Sequence, residues 1–323
     1  MTDHPLSQLD YGAWLRQRLP YPVQKLAIDA GLTCPNRDGT VGTGGCIFCD
    51  NASFSPRYCQ PGLSVAQQIE AGKRFFAHKH RTPVKYLAYF QAYTNTHPVS
   101  RLASASSAAD GVSAAIPSFS RLQSLYEEAL AQPDVVGLII GTRPDCMPDE
   151  LLDYLTELSQ RTFLMVEYGI ETANDTTLRR INRGHTFEQS RQAVIRTHER
   201  GILTGGHVIL GLPGESPEVS LRQAPVISGL PLDVLKIHQL QVIRDTPLAR
   251  EYAERPFHLY SLDEYVSLTA RYISLLRSTL IIERVVAQSP SRLLVAPRWG
   301  VRNQEVADRI CRLLKTLSLS EED

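Results

Sequence analysis

The amino-acid sequence predicts an α/β fold in which βα units repeat around a parallel sheet. Short apolar runs rich in β-forming residues alternate with longer amphipathic stretches, which is typical of that architecture. The chain has 323 residues, of which 43% are hydrophobic, so it can bury the core of one large domain. Lysine plus arginine and aspartate plus glutamate each number 34. The net charge is therefore zero, and any attraction to nucleic acid must come from a local patch.

Six candidate strands are separated by five candidate helices. The strands are predicted at residues 26–29, 86–91, 136–141, 163–168, 206–212 and 234–242. The helices are predicted at residues 65–77, 119–131, 149–159, 187–200 and 218–228.

Two regions break this alternation. Residues 100–118 are rich in alanine and serine and predict a surface insertion after the second strand. After residue 244 the pattern changes to helices at 262–280 and 304–317, with a possible strand at 281–286 and the segment LVAPRWG between them. We therefore divide the chain into an N-terminal segment at 1–24, a core of βα units at 25–245 and a C-terminal appendage at 246–323.

Three of the six cysteines form a compact motif directly after the first strand. Cys34, Cys46 and Cys49 have the spacing Cx11CxxC on a glycine-rich loop, at the end of a strand where parallel α/β folds place their chemistry. Thiolates are the protein ligands of a 4Fe–4S cluster, and three of them leave one iron open to a chelating substrate. A zinc site with Cys59 as its fourth ligand, and three buried inert cysteines, are the alternatives.

The remaining cysteines and the first residues of the chain bear on where in the cell the protein is located. Cys59, Cys146 and Cys311 have no matching partners in the sequence, and we expect them to be structural. The start MTDHPLSQL lacks a basic segment followed by an apolar run, and no stretch approaches the roughly 18 apolar residues of a membrane span. We expect a cytoplasmic location and no membrane partner.

The sequence resembles the radical S-adenosylmethionine (SAM) superfamily, specifically its YhcC/YtqA-like group, which is related to the catalytic subunit of Elongator. The resemblance implies a partial (β/α)6 TIM-like radical SAM barrel with a small C-terminal α+β appendage. It also implies a 4Fe–4S cluster and SAM at the carboxyl ends of the strands, and a long first gap in the cysteine motif is usual in this group. The matching segments are KLAIDAGLTCPNRDGTVGTGGCIFCDNASFSP, YFQAYTNTH, GLIIGTRPDC, EYGIETANDTTLRRINRGHT, HVILGLPGE and KIHQLQVIRDTPLA.

The resemblance places SAM contacts after the second and third strands. Polar groups after the second strand would contact the methionine amino group, and those after the third would line the ribose side. A polar turn without a ligand is the alternative for the first set. The residues are Gln91, Tyr93, Thr94 and Asn95 after the second strand, and Thr142, Arg143 and Asp145 after the third.

Further SAM contacts are implied at the ends of the next two strands. Glu171 would accept hydrogen bonds from the ribose hydroxyls or the SAM amino group, and Arg183 would pair with the SAM carboxylate. Gly211, Pro213 and Gly214 would let the backbone approach adenine. A solvated glutamate, a helix-terminal arginine and an ordinary glycine turn are the respective alternatives.

Two histidines lie inside apolar runs, namely His207 and His238. A hydrogen-bonded core histidine is the ordinary interpretation of such a position, although both could face the barrel mouth.

The resemblance favours a modified wobble uridine of tRNA as the substrate of a 5′-deoxyadenosyl radical, with a reducing electron donor such as flavodoxin or ferredoxin. A small metabolite of tetrapyrrole type is the alternative substrate, because IHQLQVIRDTPLA also resembles oxygen-independent coproporphyrinogen oxidases. A non-catalytic metal-cluster protein is the alternative from another class. Side chains able to contact phosphates or stack a base occur in the appendage at Arg292, Arg298, Trp299, Arg302, Arg309, Arg312 and Lys315, although a solvated helical face has the same composition.

Overall fold

Seven parallel strands form one sheet in the computed structural model, which describes residues 7–79, 84–100 and 119–320. The strand order is β1-β2-β3-β4-β5-β6-β8, and every pair in it is parallel. A small antiparallel pair, β7 with β9, lies beside this sheet. The strands are β1 (Val23–Ile28), β2 (Lys85–Phe90), β3 (Val135–Thr142), β4 (Phe163–Glu171), β5 (Leu203–Leu210), β6 (Val234–Gln239), β7 (Val242–Ile243), β8 (Ile281–Arg284) and β9 (Leu294–Ala296).

Helices connect the strands, and several begin with side-chain caps that the sequence specifies. At α2, α6 and α9 a serine or threonine and a glutamine or glutamate three residues later form reciprocal capping boxes. Such caps fix where a helix starts. The helices are α1 (Tyr11–Arg16), α2 (Val65–Phe76), α3 (Phe119–Leu130), α4 (Asp149–Ser159), α5 (Asp175–Arg180), α6 (Phe187–Glu199), α7 (Pro217–Ser228), α8 (Pro247–Glu254), α9 (Leu262–Ser274) and α10 (Asn303–Ser320).

The two faces of the sheet have different chemistry because side chains alternate along each strand. Leu138 and Ile140 of β3 belong to the main hydrophobic core together with Leu151 and Leu155 of α4. The alternate residue Ile139 faces the other way, into a smaller cluster inside the curled sheet. The outer face therefore carries the helix-packing core, and the inner face is left for the site.

The sheet curls until its two edge strands meet through their side chains. Lys25 Nζ on β1 lies 2.6 Å from Glu283 Oε2 on β8, although these strands are not hydrogen-bonded neighbours. Trp14 of α1 packs inside the curl with Met165, and its ring meets that of Phe163 edge-on at 6.5 Å. The result is a partial barrel that α1 closes at the amino ends of its strands.

The predicted fold class is confirmed, with one addition to the sheet. The strand expected within the appendage at 281–286 forms β8 and extends the barrel sheet beside β6. The fifth strand starts at Leu203, before the predicted residue 206. Glycine weakens a strand signal in the sequence, but in this strand packing requires the glycines. A Cβ at Gly205 would lie 2.8 Å from Glu167 Cγ, so this position leaves room for a neighbouring side chain.

The remaining boundaries are close to those expected. The predicted strand 234–242 divides into β6 and β7, and the helix predicted at 262–280 ends at Ser274. Most of the predicted insertion, residues 101–118, lies outside the described residues. The division into 1–24, 25–245 and 246–323 stays a prediction. Across the described ranges, no helix is long and apolar enough to cross a membrane.

Candidate active site

The three motif cysteines line one cavity of about 240 Å³ at the carboxyl ends of the barrel strands. Cys46 is buried, whereas Cys34 and Cys49 are half-buried. The cavity continues from this rim into the inside of the barrel, where side chains of β2, β4, β5 and β6 line it. The cysteines therefore stand at the entrance of an internal chamber.

Hydrogen bonds hold the cysteine loop against the segment after α5. Asn182 Nδ2 donates to the Gly45 carbonyl at 2.8 Å, and the Ile47 amide donates to the Ile181 carbonyl at 3.0 Å. Gly45 has a φ of +76°, and a Cβ there would lie 2.7 Å from the Arg37 side chain. Only glycine allows the loop to turn at this point beside Arg37.

The sulfur atoms have neighbours that suit thiolate ligands. Arg183 Nη1 donates to Cys46 Sγ at 3.5 Å, and Asn51 Nδ2 donates to Cys49 Sγ at 3.7 Å. Burial, with Cys46 nearby, raises the pKa of the Cys49 thiol to about 11, a cost that a bound cation removes because it stabilises the thiolate. No three Cys, His, Asp or Glu side chains in the described ranges are placed to hold a single metal ion.

Arg183 links the cysteine loop to the end of β4. Its Nη2 donates to the Gly169 carbonyl at 2.6 Å and lies 3.2 Å from Glu171 Oε1. Its Nε donates to His185 Nε2 at 2.9 Å, and His185 Nδ1 donates to the Thr186 carbonyl. Burial and Arg183 lower the pKa of His185 to about 3, so this ring is neutral and accepts from the guanidinium. Arg183 therefore has a fixed orientation at the cavity wall.

Two further predicted residues support this wall from behind. Asp145 forms a bidentate ion pair with Arg143 at 2.9 and 2.8 Å, and Arg143 Nη1 donates to the Arg183 carbonyl at 2.7 Å. Asn95 Nδ2 donates to the Phe90 and Gly141 carbonyls and joins the ends of β2 and β3. Asp145 and Asn95 are not among the residues that line the cavity.

A group of four charged side chains inside the barrel, which we call the interior charge cluster, consists of Lys25, Glu167, Lys236 and Glu283; Glu167 and Lys236 are buried, and Lys25 and Glu283 are half-buried. Lys236 Nζ donates to both oxygens of Glu167 at 2.8 and 2.6 Å, and it lies 3.4 Å from Glu283 Oε1. Burial opposes ionisation of Glu167, but Lys236, His207 and Lys25 hold the pKa of this carboxyl well below its usual range. Glu167 is therefore an anion inside the barrel.

This cluster was not predicted from the sequence, although the sequence contains a signal for it. Each member interrupts an otherwise apolar strand, in KLAI, MVEYG, VLKIH and IIER. A charged residue at such a position is rarely buried without a partner. The four positions face one another only after the sheet curls, which is why the pairs were not apparent along the chain.

His207 and His238 both line the cavity rather than the outer core. His207 Nε2 donates to Glu167 Oε2 at 3.0 Å, and His238 Nε2 accepts from Arg284 Nη2 at 2.8 Å. Burial, together with Lys236, lowers the pKa of His207, and burial with Arg284 holds that of His238 well below its usual range. Both rings are therefore neutral near pH 7.

Comparison with known proteins now assigns the family. The sequence matches the Radical SAM superfamily over residues 37–219 and the Radical_SAM C-terminal domain over residues 232–316. YtqA of Bacillus subtilis is 34% identical over 301 residues, which cover 93% of this chain and 87% of that protein. The chain belongs to the radical SAM superfamily.

This radical SAM enzyme has relatives in the YhcC-type group and, more distantly, in Elongator. YhcC of Escherichia coli K12 is 33% identical over 290 residues, covering 90% of this chain and 86% of that protein. The tRNA uridine(34) acetyltransferase of Dehalococcoides mccartyi is 27% identical over 194 residues, covering 57% and 42%. The solved structure of Elp3 from Methanocaldococcus infernus superposes with a TM-score of 0.64 at 17% identity, covers 93% of this chain and 64% of that chain, and supports the fold alone.

Family membership decides the cofactors. Radical SAM enzymes use a 4Fe–4S cluster and SAM, so these are the cofactors of this enzyme. Membership of this enzyme superfamily excludes the alternative hypothesis of a non-catalytic metal-cluster protein. Which residues hold each cofactor stays a prediction, and the structure separates the candidates by position.

Seven of the twelve predicted SAM contacts line the cavity with the cysteines, and the other five do not. Asn95 and Asp145 lie behind it, as described above. Gly211, Pro213 and Gly214 line a separate hollow with Arg180 and Tyr260, so the geometry gives their predicted adenine contact no support. Ile209, on the preceding strand β5, lines the main cavity instead. The seven are Gln91, Tyr93, Thr94, Thr142, Arg143, Glu171 and Arg183.

The buried histidines predict a pH-dependent stability for this radical SAM enzyme. In the unfolded chain each imidazole protonates near pH 6.5, whereas the folded protein holds His207 and His238 neutral at lower pH. The unfolded state then binds more protons, so the free energy of unfolding falls as the pH decreases below about 6.5. Thermal unfolding of the apoprotein between about pH 8 and about pH 5 measures this slope.

The variant that tests this prediction combines His207→Gln with His238→Gln. The control is a substitution of an exposed histidine, His78→Gln. We expect the double variant to flatten the decline in unfolding temperature and the control to keep it. A decline of the same steepness in the double variant would exclude these two rings as its cause.

Proposed function

We propose that this enzyme cleaves SAM reductively and directs the resulting radical to a modified wobble uridine of tRNA. Cys34, Cys46 and Cys49 are the proposed thiolate ligands of the cluster. When bound, the cluster supplies one electron to SAM, which yields the 5′-deoxyadenosyl radical that abstracts hydrogen from the substrate. A reductant such as flavodoxin or ferredoxin supplies the electrons.

The proposal that this enzyme cleaves SAM rests on one observation: the three cysteines line the same cavity as Arg183 and Glu171. A guanidinium held by four contacts presents its remaining N–H to a carboxylate without further loss of side-chain entropy. Glu171, whose φ is +68° at an irregular point of β4, is turned toward the same space. We assign Arg183 to the SAM carboxylate and Glu171 to the SAM hydroxyl or amino groups.

The proposal of tRNA as the substrate is supported by the names of distant relatives and by the surface of the C-terminal part. The acetyltransferase of Dehalococcoides mccartyi described above acts, by its name, on uridine 34 of tRNA. In the appendage, Arg309 pairs with Glu305 and Asp263. Five other basic residues of that region are exposed and suit contacts to phosphates: Arg292, Arg298, Arg302, Arg312 and Lys315.

Trp299, the aromatic side chain that the sequence suggested for stacking a base, packs against other residues of the C-terminal part. Trp299 donates its Nε1–H to the Tyr260 carbonyl at 3.0 Å, and its ring centroid lies 5.1 Å from that of Tyr265. It is therefore part of the packing of α9 and not a platform for a base. Phe54 is 40% exposed and lines the cysteine cavity, so we assign base stacking at the entrance to Phe54.

The test uses anaerobically reconstituted enzyme, SAM, dithionite and bulk tRNA from a strain that lacks the corresponding gene. We expect 5′-deoxyadenosine to form, and we expect mass spectrometry of the digested tRNA to show a changed wobble uridine only when enzyme and SAM are both present. Formation of 5′-deoxyadenosine with unchanged nucleosides would reject tRNA and favour the small-metabolite alternative. No 5′-deoxyadenosine under any condition would reject the proposed activity.

A further inference from the structure

Among the residues that the structure describes, the inside of the barrel contains one more positive charge than negative charge. Within the interior charge cluster the two lysines balance the two glutamates, since Lys236 contacts Glu167 and Lys25 contacts Glu283. His207 and His238 are neutral, as described above. In the described part of the chain, Arg284 at the end of β8 is the remaining charged side chain that lines the cavity beside this cluster.

The guanidinium of Arg284 has no acidic partner within 4 Å among the described residues. Its Nη2 donates to the neutral His238 at 2.8 Å. Its Nε is buried and, in the described part of the chain, has no hydrogen-bond partner. The other arginines that line the cavity differ, because Arg143 pairs with Asp145, Arg183 pairs with Glu171, and Arg37 lies beside the Cys49 carbonyl at the cysteine rim.

The wall that carries Arg284 is rigidly attached to the neighbouring strand. Gln239 exchanges two hydrogen bonds with the backbone of Ala287, at 2.8 and 2.9 Å. Gln241 Oε1 accepts from Ser289 Oγ at 2.7 Å. The guanidinium is thus presented to the cavity by a fixed segment, as is usual for a recognition group whose orientation matters.

An inward-facing cation with an unsatisfied N–H is unfavourable unless an anion completes the site. From this geometry we propose that Arg284 binds a singly charged oxyanion on the substrate, through the bidentate geometry that a guanidinium offers. A single negative charge on the substrate neutralises the one excess positive charge inside the barrel, whereas a dianion would leave an excess of negative charge there. This inference rests on the proposed function, since it assigns the chamber beyond the cysteines to the molecule that the radical attacks.

The position of Arg284 gives it a role in orientation. The same cavity is lined by the cysteines at its entrance and by Arg284, His238 and His207 inside. An anionic group held at Arg284 would direct the adjoining carbon atoms of the substrate toward the cysteine end. The C-terminal strand β8 would then decide which substrate this barrel accepts.

The test measures thermal unfolding of the full-length apoprotein with sodium acetate, sodium dimethyl phosphate or, for equal ionic strength, sodium chloride. Acetate represents a substrate carboxylate, and dimethyl phosphate represents a nucleic-acid phosphodiester. We expect one of these two anions to raise the unfolding temperature of the wild type saturably by a few degrees above the chloride value. Arg284→Gln should abolish that rise, Arg284→Lys should retain part of it, and the exposed Arg222→Gln should keep it in full.

A second readout separates binding from a structural role. Because the unpaired charge destabilises the empty protein, Arg284→Gln without anion should unfold at or above the wild-type temperature. A purely structural arginine would give a clear decrease in that temperature. If Arg284→Gln does not fold, two other results decide against a bidentate site. One is that neither anion raises the unfolding temperature of the wild type. The other is that Arg284→Lys shows the full increase with the same affinity for the anion.

The outcomes for this inference and for the proposed function are distinct. Wild type that forms 5′-deoxyadenosine but shows no saturable response to either anion overturns the anion site and leaves the proposed function standing. A response that Arg284→Gln retains in full overturns it as well. An anion response that depends on Arg284, in protein that never forms 5′-deoxyadenosine, leaves the anion site standing and removes its assignment to a radical substrate.

Discussion

Replacing Cys34, Cys46 and Cys49 together by alanine should abolish the formation of 5′-deoxyadenosine by the reconstituted enzyme. The three thiols line one cavity, and no other described cysteine lines it. Without thiolates the iron–sulfur cluster has no protein ligands there, so SAM receives no electron. The variant should also lose the visible absorbance and the bound iron and sulfide of the wild type, which are measured beside the product.

Cys311→Ala is the matched control for this experiment. Cys311 lies on α10, far along the chain from the motif, and is half-buried. We expect it to keep iron, absorbance and product at wild-type levels. If the triple variant still forms 5′-deoxyadenosine, the ligand assignment is wrong. If the wild type binds zinc instead of iron and the triple variant loses that zinc, the cluster assignment is wrong.

Replacing Glu167 by alanine should lower the free energy of unfolding by about 3–5 kcal/mol, the usual cost of breaking a buried ion pair. Its carboxylate accepts two hydrogen bonds from Lys236 and one from His207, and Lys25 Nζ lies 3.9 Å away. Among the described residues, removal leaves Lys236 and Lys25 with Glu283 as their shared acidic partner. Equilibrium unfolding in urea, fitted with an unchanged slope, measures the loss.

The control is Glu188→Ala on the exposed face of α6, where the carboxylate pairs with Arg191 in solvent. Exposed pairs contribute little, so this variant should unfold nearly as the wild type does. Equal effects of the two substitutions would show that the interior charge cluster contributes no more than a surface pair.

The same carboxylate predicts a second pH window, below that of the histidines. The folded-state pKa of Glu167 is held well below the ordinary value of 4.5, so its stabilising effect is present above about pH 4.5 and is lost as the pH falls through the folded pKa. The wild type should therefore lose stability in this lower range, and Glu167→Ala should lose less there.

Much of the fold could be predicted because its signals are local in the sequence. The alternation of apolar runs with amphipathic stretches placed six strands and five helices near their observed positions. The glycines of β5 were misleading, since Gly205 serves a contact with Glu167 on the neighbouring strand. The short helices α1, α5 and α8 were not predicted because six to eight residues give too little periodicity to recognise.

The site was predicted where its residues follow one another along the chain. The spacing of Cys34, Cys46 and Cys49 is a local pattern, and so are the polar residues directly after β2 and β4. Gly211 and Pro213 were assigned by motif alone, and the chain instead carries them to a different hollow after β5. Trp299 was grouped with basic neighbours in the sequence, but tertiary packing turns its ring onto Tyr265.

The sequence by itself determined the class of chemistry, because a cluster needs thiolates at a spacing that one loop can provide. Only the tertiary structure decided the chamber beyond that loop. Lys25 and Glu283 are 258 positions apart and meet at 2.6 Å, since the curl of the sheet, and not the order of the chain, sets which inward side chains face one another. Whether a buried charge is paired depends on that distance, and so only the folded barrel distinguishes Arg284 from the balanced charges around it.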